Sequence, residues 1–574
     1  MDRKIILIAI LALAAILRFW GLERGDAMND EVFYAFRAVG LLDFDAAEFQ
    51  TTPLEWFDPR HPAIGGTAAQ NLGGQAAIPF WTKLSFHDHP PLVFWVQHVF
   101  LKVFGENTLA FRLPSAILGV VSVYLLYLIG AHLYSYRVGL LASALMAVTL
   151  NHVYISRTGM QESFVIFFML LAFYFFLKAL RKDIYFIWLG VILGLALLTK
   201  FTSMILIPIF SVYLLIFRRD YFLRAKLWIG AALALIIFSP VIIYNMEMYR
   251  AVGHFDFQFS ALFGQHPDVW KEQPGKEIGA FVDRIRAFVP RLISTHSWLF
   301  LTALALALTA LLTALVKNFR KTLRPHAFLL ISAGATAIFL ILLIGPSFRF
   351  LTMLTPYFVL AVAVFFLYLA DRIFLFFGRR KAALIIYALL AIFLSLEIAY
   401  SYNNQIAYYP KGNERWFASK IRFENYNWGY NALDKYLDEE FAGQMPALTF
   451  DPAYKFLDDI RERALGKARE EKLKPMPFLI VYGGNFDDGA LLWVILRRSV
   501  YHAWPVISLE DFTRFREKEG ADYFTRLGFR NLYFIFTANT VFLPETTTLL
   551  KNVEPTTIMN QRGDKAFFVY EKVN

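Results

Sequence analysis

Long apolar segments separated by short polar connections occupy most of the chain up to residue 400. Since a helix needs about 20 apolar residues to cross a bilayer, each segment is a candidate membrane span. The pattern predicts about eleven spans, near residues 5–20, 109–131, 138–155, 162–180, 184–201, 203–217, 227–246, 297–316, 326–345, 349–370 and 382–400. We therefore predict an α-helical polytopic membrane domain over residues 1–400.

Basic residues in the connections predict how these spans are oriented. Arg3 and Lys4 precede the first apolar run in the manner of a signal peptide, but no small-residue cleavage site follows, so we interpret the run as an uncleaved span. Alternate connections then carry basic clusters: Lys178, Arg181 and Lys182; Arg218, Arg219, Arg224 and Lys226; Lys317, Arg320, Lys321 and Arg324; and Arg372, Arg379, Arg380 and Lys381. Because Lys and Arg concentrate on the cytoplasmic side, we predict a plasma-membrane protein with a cytoplasmic N-terminus and an extracytoplasmic C-terminus.

This orientation places two long loops outside the cell, 21–108 and 247–296. In the first loop, Glu31 to Leu42 and Pro91 to Phe104 have the aromatic faces of helices that lie flat on a membrane. Pro91 suits the first turn of the second helix. The Gly- and Pro-rich stretch between them, 52–80, predicts a mobile loop.

The tail, residues 401–574, changes to a mixed polar and apolar composition. Strand-like runs occur at 447–450, 478–482, 532–536 and 566–570, and helix-like runs at 431–441, 457–472 and 509–527. This alternation predicts a small extracytoplasmic α/β domain, and the tail is long enough to form its own core.

Composition supports a membrane protein over a set of soluble domains. The chain is 57% hydrophobic and 18% charged, whereas soluble proteins have about 25% charged residues. The net charge of +11 is explained by the basic connections, so we expect no nucleic-acid partner. The absence of cysteine excludes disulfides, thiolate metal sites and cysteine catalysis.

Isolated charged residues are predicted near the outer face. They are Asp30 and Glu31, the group His87-Asp88-His89, Arg112, Arg157, Glu162, Lys200 and Arg349. Taken singly, each has an ordinary explanation: helix capping for the acids, loop positions for the histidines and contact with lipid headgroups for the cations. His87, Asp88 and His89 also have a second interpretation, as metal ligands. Taken together, acids and cations at one membrane face favour a functional site.

One class of chemistry uses this combination. A sugar carried on a lipid phosphate stays in the bilayer with its phosphate at the interface, and its transfer needs a carboxylate base to take the proton of an acceptor hydroxyl. Arg or Lys must then stabilise the negative charge on the leaving phosphate. The residues above therefore predict transfer from a lipid-linked sugar.

Several motifs in residues 25–370 resemble the protein O-mannosyltransferases and their bacterial and archaeal relatives that add aminoarabinose or other sugars, which are GT-C glycosyltransferases. The motifs are Asp30-Glu31-Val32, His89-Pro90-Pro91-Leu92, Arg112-Leu113-Pro114-Ser115-Ala116, Ile155-Ser156-Arg157 followed by Glu162-Ser163, Leu198-Thr199-Lys200, and Arg349-Phe350-Leu351 with Pro356. The resemblance is specific in the combination, since each motif alone is weak.

The resemblance implies an inverting transfer from a polyprenyl-phosphate sugar to an acceptor hydroxyl, with no cofactor and, as is usual in such enzymes, no catalytic metal. It implies that Asp30 is the catalytic acidic residue, acting as the base, with Glu31 beside it, and that Glu162 fills a second acidic position that is usually Asp. His89 follows the mannosyltransferase form where aminoarabinose transferases have lysine near the phosphate. Arg157, Lys200 and Arg349 become candidates for phosphate contact or support of the site, and Arg112 and Tyr34 join the candidate donor- or substrate-binding residues.

The acceptor and the sugar, hexose or pentose, remain open. The loop 247–296 is too short for the β-trefoil of the eukaryotic enzymes, and the α/β tail resembles that of prokaryotic relatives, so the acceptor is a protein, a lipid or a glycan.

Two other functions remain as alternatives. One is an oligosaccharyltransferase or ligase that moves a whole lipid-linked glycan, and the other is a non-enzymatic transporter of lipid-linked sugars.

Overall fold

The computed structural model of the protein is mostly helical, with a two-stranded parallel sheet and a five-stranded mixed sheet in its C-terminal part. It describes residues 2–41, 43, 79–267, 279–377, 379–407, 409, 411–413, 416–441, 444–446, 470, 474–476, 478–502 and 504–573. The predicted strand at 447–450, the predicted helix at 457–472 apart from Glu470, and residues 52–78 of the predicted mobile loop lie outside these ranges.

The helices, in chain order, are α1 (Arg3–Phe19), α2 (Asp30–Gly40), α3 (Leu92–Phe104), α4 (Thr108–Leu133), α5 (Tyr136–Val148), α6 (Leu150–Arg157), α7 (Gln161–Ala179), α8 (Tyr185–Thr199), α9 (Leu206–Phe217), α10 (Ala225–Val252), α11 (Phe257–Leu262), α12 (Phe281–Ser294), α13 (Trp298–Lys317), α14 (Phe319–Phe339), α15 (Phe348–Leu351), α16 (Thr355–Phe377), α17 (Arg379–Gln405), α18 (Tyr430–Phe441), α19 (Asp488–Leu491), α20 (Arg497–His502), α21 (Leu509–Glu519), α22 (Tyr523–Arg526) and α23 (Pro544–Leu549). The strands are β1 (Gln444–Pro446), β2 (Lys474–Met476), β3 (Phe478–Gly483), β4 (Val506–Ser508), β5 (Asn531–Thr537), β6 (Thr556–Met559) and β7 (Lys565–Val573). Single 3-10 or π-helical turns occur at Phe80–Lys83, Phe201–Ile205, Arg219–Leu223, Leu340–Ile344, Thr352–Leu354, Lys420–Asn425 and Leu492–Leu496.

Contacts divide the described residues into two compact units. The membrane unit comprises the chain up to Leu22 and from Phe80 to Phe423. The α/β unit comprises the described part of 23–43 and the chain from Glu424 onward. The acidic stretch around Asp30 therefore packs with the C-terminal part, whereas residues 401–423 pack with the membrane unit.

Among the described residues, seven helical segments are long and apolar enough to cross a membrane: Thr108–Leu133, Gln161–Ala179, Ala225–Val252, Trp298–Lys317, Pro325–Ile344, Phe348–Leu375 and Ala383–Gln405. The number rises to eight if α5 and α6, which meet at an angle of 60°, form one bent span. Every predicted span coincides with a helical segment. The predicted number of eleven is nevertheless not confirmed, because α1, α8 and Phe201–Phe217 are shorter apolar helices.

Small residues allow the membrane helices to pack closely. A Cβ atom added to Gly190 of α8 would lie 2.0 Å from the carbonyl oxygen of Gly230 in α10. Close approach of backbones at glycine is typical of helix pairs in membranes. This contact fixes α8, whose last residue directly precedes Lys200, one of the candidate site residues.

The α/β unit contains a five-stranded sheet in the order β4-β3-β5-β7-β6. β3 pairs in parallel with β4 and β5, and β7 pairs antiparallel with β5 and β6. Strands β3, β5 and β7 confirm the predictions at 478–482, 532–536 and 566–570. The sheet buries a cluster that includes Leu479, Phe512 and Phe534. The predicted helix at 431–441 is α18, and that at 509–527 is divided into α21 and α22 after Gly520.

Both helices predicted in the first loop are present. α3 begins at Leu92, so Pro91 is the N-cap residue just before the helix, one position earlier than the predicted first turn. α2, however, is buried along most of its length in the α/β unit, and Phe36 packs on Tyr501 with ring centroids 5.0 Å apart. The aromatic side of α2, predicted to lie on the membrane, is therefore covered by protein.

Candidate active site

Three candidate residues of the membrane unit meet at one point. Glu162 lies in the first turn of α7, Lys200 directly follows α8, and Arg349 is in α15. Nζ of Lys200 lies 2.7 Å from Oε1 of Glu162, and Nε of Arg349 lies 3.8 Å from the same oxygen. The fold thus brings together residues that are far apart in the chain.

The three charged side chains of this cluster lie mostly out of contact with water. Glu162 and Lys200 are buried, Arg349 is mostly buried, and two cations face one carboxylate. The Phe350 ring lies 5.0 Å from both Nζ of Lys200 and Cζ of Arg349, which stabilises the cations through its π face. Lysine and arginine side chains bind phosphate and carboxylate groups through charge-assisted hydrogen bonds. The cluster therefore contains groups of the kind that bind an anion.

Gln161, next to Glu162, is a residue that the sequence analysis missed. Its side chain is fully buried, and both amide atoms lack a hydrogen-bond partner among the described residues. Oε2 of Glu162 is also buried without such a partner. Buried polar groups are almost always hydrogen-bonded, so these atoms need a partner that the described chain does not supply. Only the polar character of Gln161 at the start of an apolar span could have indicated it.

Arg157 and Arg112 bind the end of α1. The guanidinium of Arg157 is fully buried and donates to the carbonyl oxygens of Leu17, Arg18, Trp20 and Gly21 at 3.0–3.1 Å. Arg112 donates to the carbonyl oxygen of Leu22 at 3.0 Å. The last carbonyl groups of a helix have no partner within it, so the two arginines satisfy the end of α1. These contacts are those of structural support.

His89 belongs to a small acid and histidine group before α3. Its Nδ1 lies 2.9 Å from Oδ1 of Asp88, and Nε2 of the buried His87 lies 3.8 Å from Oδ2 of Asp88. Asp256, which the sequence analysis did not single out, is buried nearby, because the next residue, Phe257, donates its N–H to the carbonyl oxygen of His87. Burial raises the pKa of Asp256 to about 7, against the opposing effect of hydrogen bonds and of His87.

Metal binding by this group has no geometric support. Within the part of the chain that the structure describes, no three His, Asp or Glu residues are arranged to hold a metal ion.

Asp30, Glu31 and Tyr34 lie in the α/β unit. Asp30 is the first residue of α2 and is half-buried, and the hydroxyl of Tyr34 donates to its Oδ2 at 3.4 Å. Glu31 is buried. Asn29, immediately before Asp30, has a φ of +56°, an uncommon conformation for a residue other than glycine. The two carboxylates therefore differ in exposure, with Asp30 the more accessible.

A family model described as dolichyl-phosphate-mannose-protein mannosyltransferase matches residues 88–244. The matched region includes His89, Arg112, Arg157, Glu162 and Lys200, while Arg349 and the Asp30 segment lie outside it. The family resemblance predicted from the motifs is confirmed.

Two proteins of Bacillus subtilis (strain 168), named "Putative mannosyltransferase YycA" and "Putative mannosyltransferase YkcB", are each 32% identical to the chain, over 135 and 133 residues. The alignments cover 23% and 22% of this chain, and 20% and 18% of those proteins. The chain thus matches about a fifth of the length of these relatives.

Two solved structures are similar over almost the whole chain. ArnT from Cupriavidus metallidurans bound to undecaprenyl phosphate has a TM-score of 0.52 and 15% identity, over 98% of this chain and 97% of that chain. The archaeal oligosaccharyltransferase AglB from Archaeoglobus fulgidus, in complex with an inhibitory peptide and a dolichol-phosphate, has a TM-score of 0.50 and 14% identity, over 93% of this chain and 69% of that chain. The chain is therefore similar in fold to both of these structures.

Proposed function

We propose that the protein is a membrane glycosyltransferase that moves one sugar, a hexose or a pentose, from a polyprenyl-phosphate donor to an acceptor hydroxyl outside the cell, with inversion. The observation that carries this proposal is the convergence of Glu162, Lys200 and Arg349 at one point. A lipid phosphate is an anion that Lys200 and Arg349 can bind through charge-assisted hydrogen bonds. The membrane location, with the N-terminus in the cytoplasm, is part of the proposal.

Lys200 and Arg349 hold the donor phosphate in this mechanism. As the bond between the sugar C1 and the phosphate oxygen breaks, its electron pair moves to the phosphate, and the two cations stabilise the charge that develops. Glu162 orients Lys200 through their ion pair, and His89 assists at the phosphate. Arg157 and Arg112 support the site by fixing the end of α1.

Asp30 is the base. It takes the proton of the acceptor hydroxyl while the acceptor oxygen forms the new bond to C1 from the face opposite the phosphate. The hydrogen bond from Tyr34 holds the Asp30 carboxylate in position, and the buried Glu31 is its supporting neighbour. No cofactor and no metal take part in these steps. The acceptor is a protein, a lipid or a glycan hydroxyl.

The experiment is sugar transfer by the purified protein in proteoliposomes, with a polyprenyl-phosphate sugar as donor. Asp30→Asn should abolish transfer and leave donor binding intact, because it removes the base but no phosphate contact. Asp522→Asn, at an exposed carboxylate of the α/β unit, is the matched control and should remain active.

Three results would contradict the proposal: full activity of Asp30→Asn, transfer only from a pyrophosphate-linked glycan, or movement of the donor across the bilayer without product. The second would favour an oligosaccharyltransferase or ligase, and the third a transporter.

A further inference from the structure

Asp26 is a buried acid that the mechanism above does not use. It lies between α1 and α2, is fully buried, and accepts hydrogen bonds from four consecutive backbone N–H groups, those of Trp428, Gly429, Tyr430 and Asn431. The first N–H groups of a helix have no partner within it and attract negative charge. Asp26 therefore caps α18, whose first residue lies 404 positions further along the chain.

The backbone beside Asp26 is held by the same part of the chain. The N–H of Asp26 donates to the carbonyl oxygen of Tyr426 at 3.0 Å. The side-chain amides of Asn427 and Asn431 donate at 2.7–2.9 Å to three carbonyl oxygens, those of Glu23, Arg24 and Gly25. Every residue from 23 to 26 is thus bound to the segment 426–431.

Asn29, which directly precedes Asp30, has its own contacts with the C-terminal part. Its side-chain amide donates to Oε2 of Glu424 at 2.8 Å. Its backbone also packs closely against Gly489. A Cβ atom added to Gly489 would lie only 3.2 Å from the backbone nitrogen of Asn29. An uncommon φ such as that of Asn29 persists only when surrounding contacts hold the backbone in place. Residues of this kind are concentrated at functional sites.

We propose that Asp26 is a positioning residue for the Asp30 carboxylate, so that the C-terminal α/β part of the chain takes part in catalysis. This inference rests on the proposed role of Asp30 as the base. Only three residues separate Asp26 from Asp30, so a displacement of the first is passed to the second through a short length of backbone. An error of about 1 Å in the position of a reacting group can cost about a hundredfold in rate.

The main test is Asp26→Asn in the full-length protein. The amide has nearly the same shape, but its NH2 group replaces one acceptor oxygen and faces a backbone N–H. We expect kcat to fall about ten- to hundredfold, while KM for the polyprenyl-phosphate sugar stays within about twofold, because Lys200 and Arg349 belong to the membrane unit. A milder variant, Asn431→Ala, removes the amide bonds to Glu23 and Gly25 but keeps the Asp26 carboxylate, and should lower kcat less.

Ser508→Ala is the matched control for loss of a helix cap in the same unit. Oγ of Ser508 accepts the N–H of Asp511 at 3.1 Å at the start of α21, so the variant should lower stability but keep kcat. Equal losses of kcat in Asp26→Asn and Ser508→Ala would show an effect of domain stability only, and would overturn the inference.

The outcomes separate this inference from the proposed function. Full activity of Asp30→Asn refutes the proposed base. An inactive Asp30→Asn together with normal kcat in both Asp26→Asn and Asn431→Ala refutes only the positioning role. If Asp26→Asn does not fold, Asn431→Ala decides the question: a lower kcat at unchanged KM supports the positioning role, and a normal kcat overturns it.

Discussion

Nζ of Lys200 lies 2.7 Å from Oε1 of Glu162, so two residues 38 positions apart form a buried ion pair. Lys200→Met should weaken donor binding about tenfold or more, because it removes a charged contact to phosphate worth about 1.5–3 kcal/mol. It should also destabilise the protein by about 3 kcal/mol, since a buried carboxylate loses its nearest partner. Donor affinity and the apparent melting temperature in detergent measure the two effects.

The double variant Lys200→Met/Glu162→Gln distinguishes the two effects. Removing both charges should recover part of the stability but none of the donor affinity. Lys178→Met, near the opposite end of α7, is the control that should bind donor normally. Unchanged donor affinity in Lys200→Met would remove Lys200 from the phosphate site.

Gln161 and Gln97 are both fully buried glutamines, but their hydrogen bonds differ. The amide of Gln97 donates to the carbonyl oxygens of Phe111 and Gly159, whereas neither amide atom of Gln161 has a partner among the described residues. Gln97→Leu should therefore cost about 1–3 kcal/mol of stability, because it leaves buried carbonyl groups unpaired. Gln161→Leu should keep or raise stability and should increase KM for the donor if its amide binds the substrate.

The measurement is thermal unfolding of both variants beside donor kinetics. A stability loss in Gln161→Leu as large as that in Gln97→Leu, with donor KM unchanged, would mean that Gln161 is a structural residue.

The sequence predicted the candidate acids and cations, but not their partners. Arg157 and Lys200 have the same pattern, a solitary cation at the end of an apolar segment. In the structure Lys200 pairs with Glu162, whereas Arg157 binds carbonyl groups about 140 positions away in the chain. The hydrophobic pattern predicts that a cation lies at the end of a membrane helix. It does not predict which distant part of the chain that cation will contact.

The sequence pattern also failed to predict one helix break and the packing of the Asp30 segment. Residues 138–155 have no Gly or Pro near Thr149, yet α5 and α6 meet there at 60°. The sequence pattern predicted the strands β3, β5 and β7 in the C-terminal part. It could not show that the Asp30 segment packs with the C-terminal part, because that contact depends on hydrogen bonds such as those of Asp26.

Arg157→Lys tests the role of the arginine in holding α1. Lysine keeps the positive charge but cannot donate to four carbonyl groups with the fork of a guanidinium. We expect a stability loss of about 2–4 kcal/mol, since several buried carbonyl groups lose their donors. Arg181→Lys, in a connection predicted to be cytoplasmic, should be neutral. A wild-type melting temperature for Arg157→Lys would contradict this role and reopen phosphate contact by Arg157.

The last prediction concerns acid stability and His296, which precedes α13. Its Nδ1 donates to the carbonyl oxygen of Leu292 at 3.0 Å, and its Nε2 accepts from the amide of Asn151 at 3.2 Å, so the neutral ring is satisfied at both nitrogens. Burial lowers the pKa of His296 from 6.5 to about 4. Between these values the unfolded chain binds a proton that the folded protein does not, so stability is complete above pH 6.5 and is lost as pH falls toward 4, by about 3 kcal/mol in all.

The check is the apparent melting temperature of the protein in detergent between pH 7.5 and 4.5. His296→Gln should be less stable than the wild type at pH 7.5 but should lose less on acidification, because it has no proton to bind. His266→Gln, at an exposed histidine, should follow the wild-type profile. Equal losses of stability in the wild type and His296→Gln would contradict this prediction. Replacing His296 would then leave the number of protons taken up on unfolding unchanged.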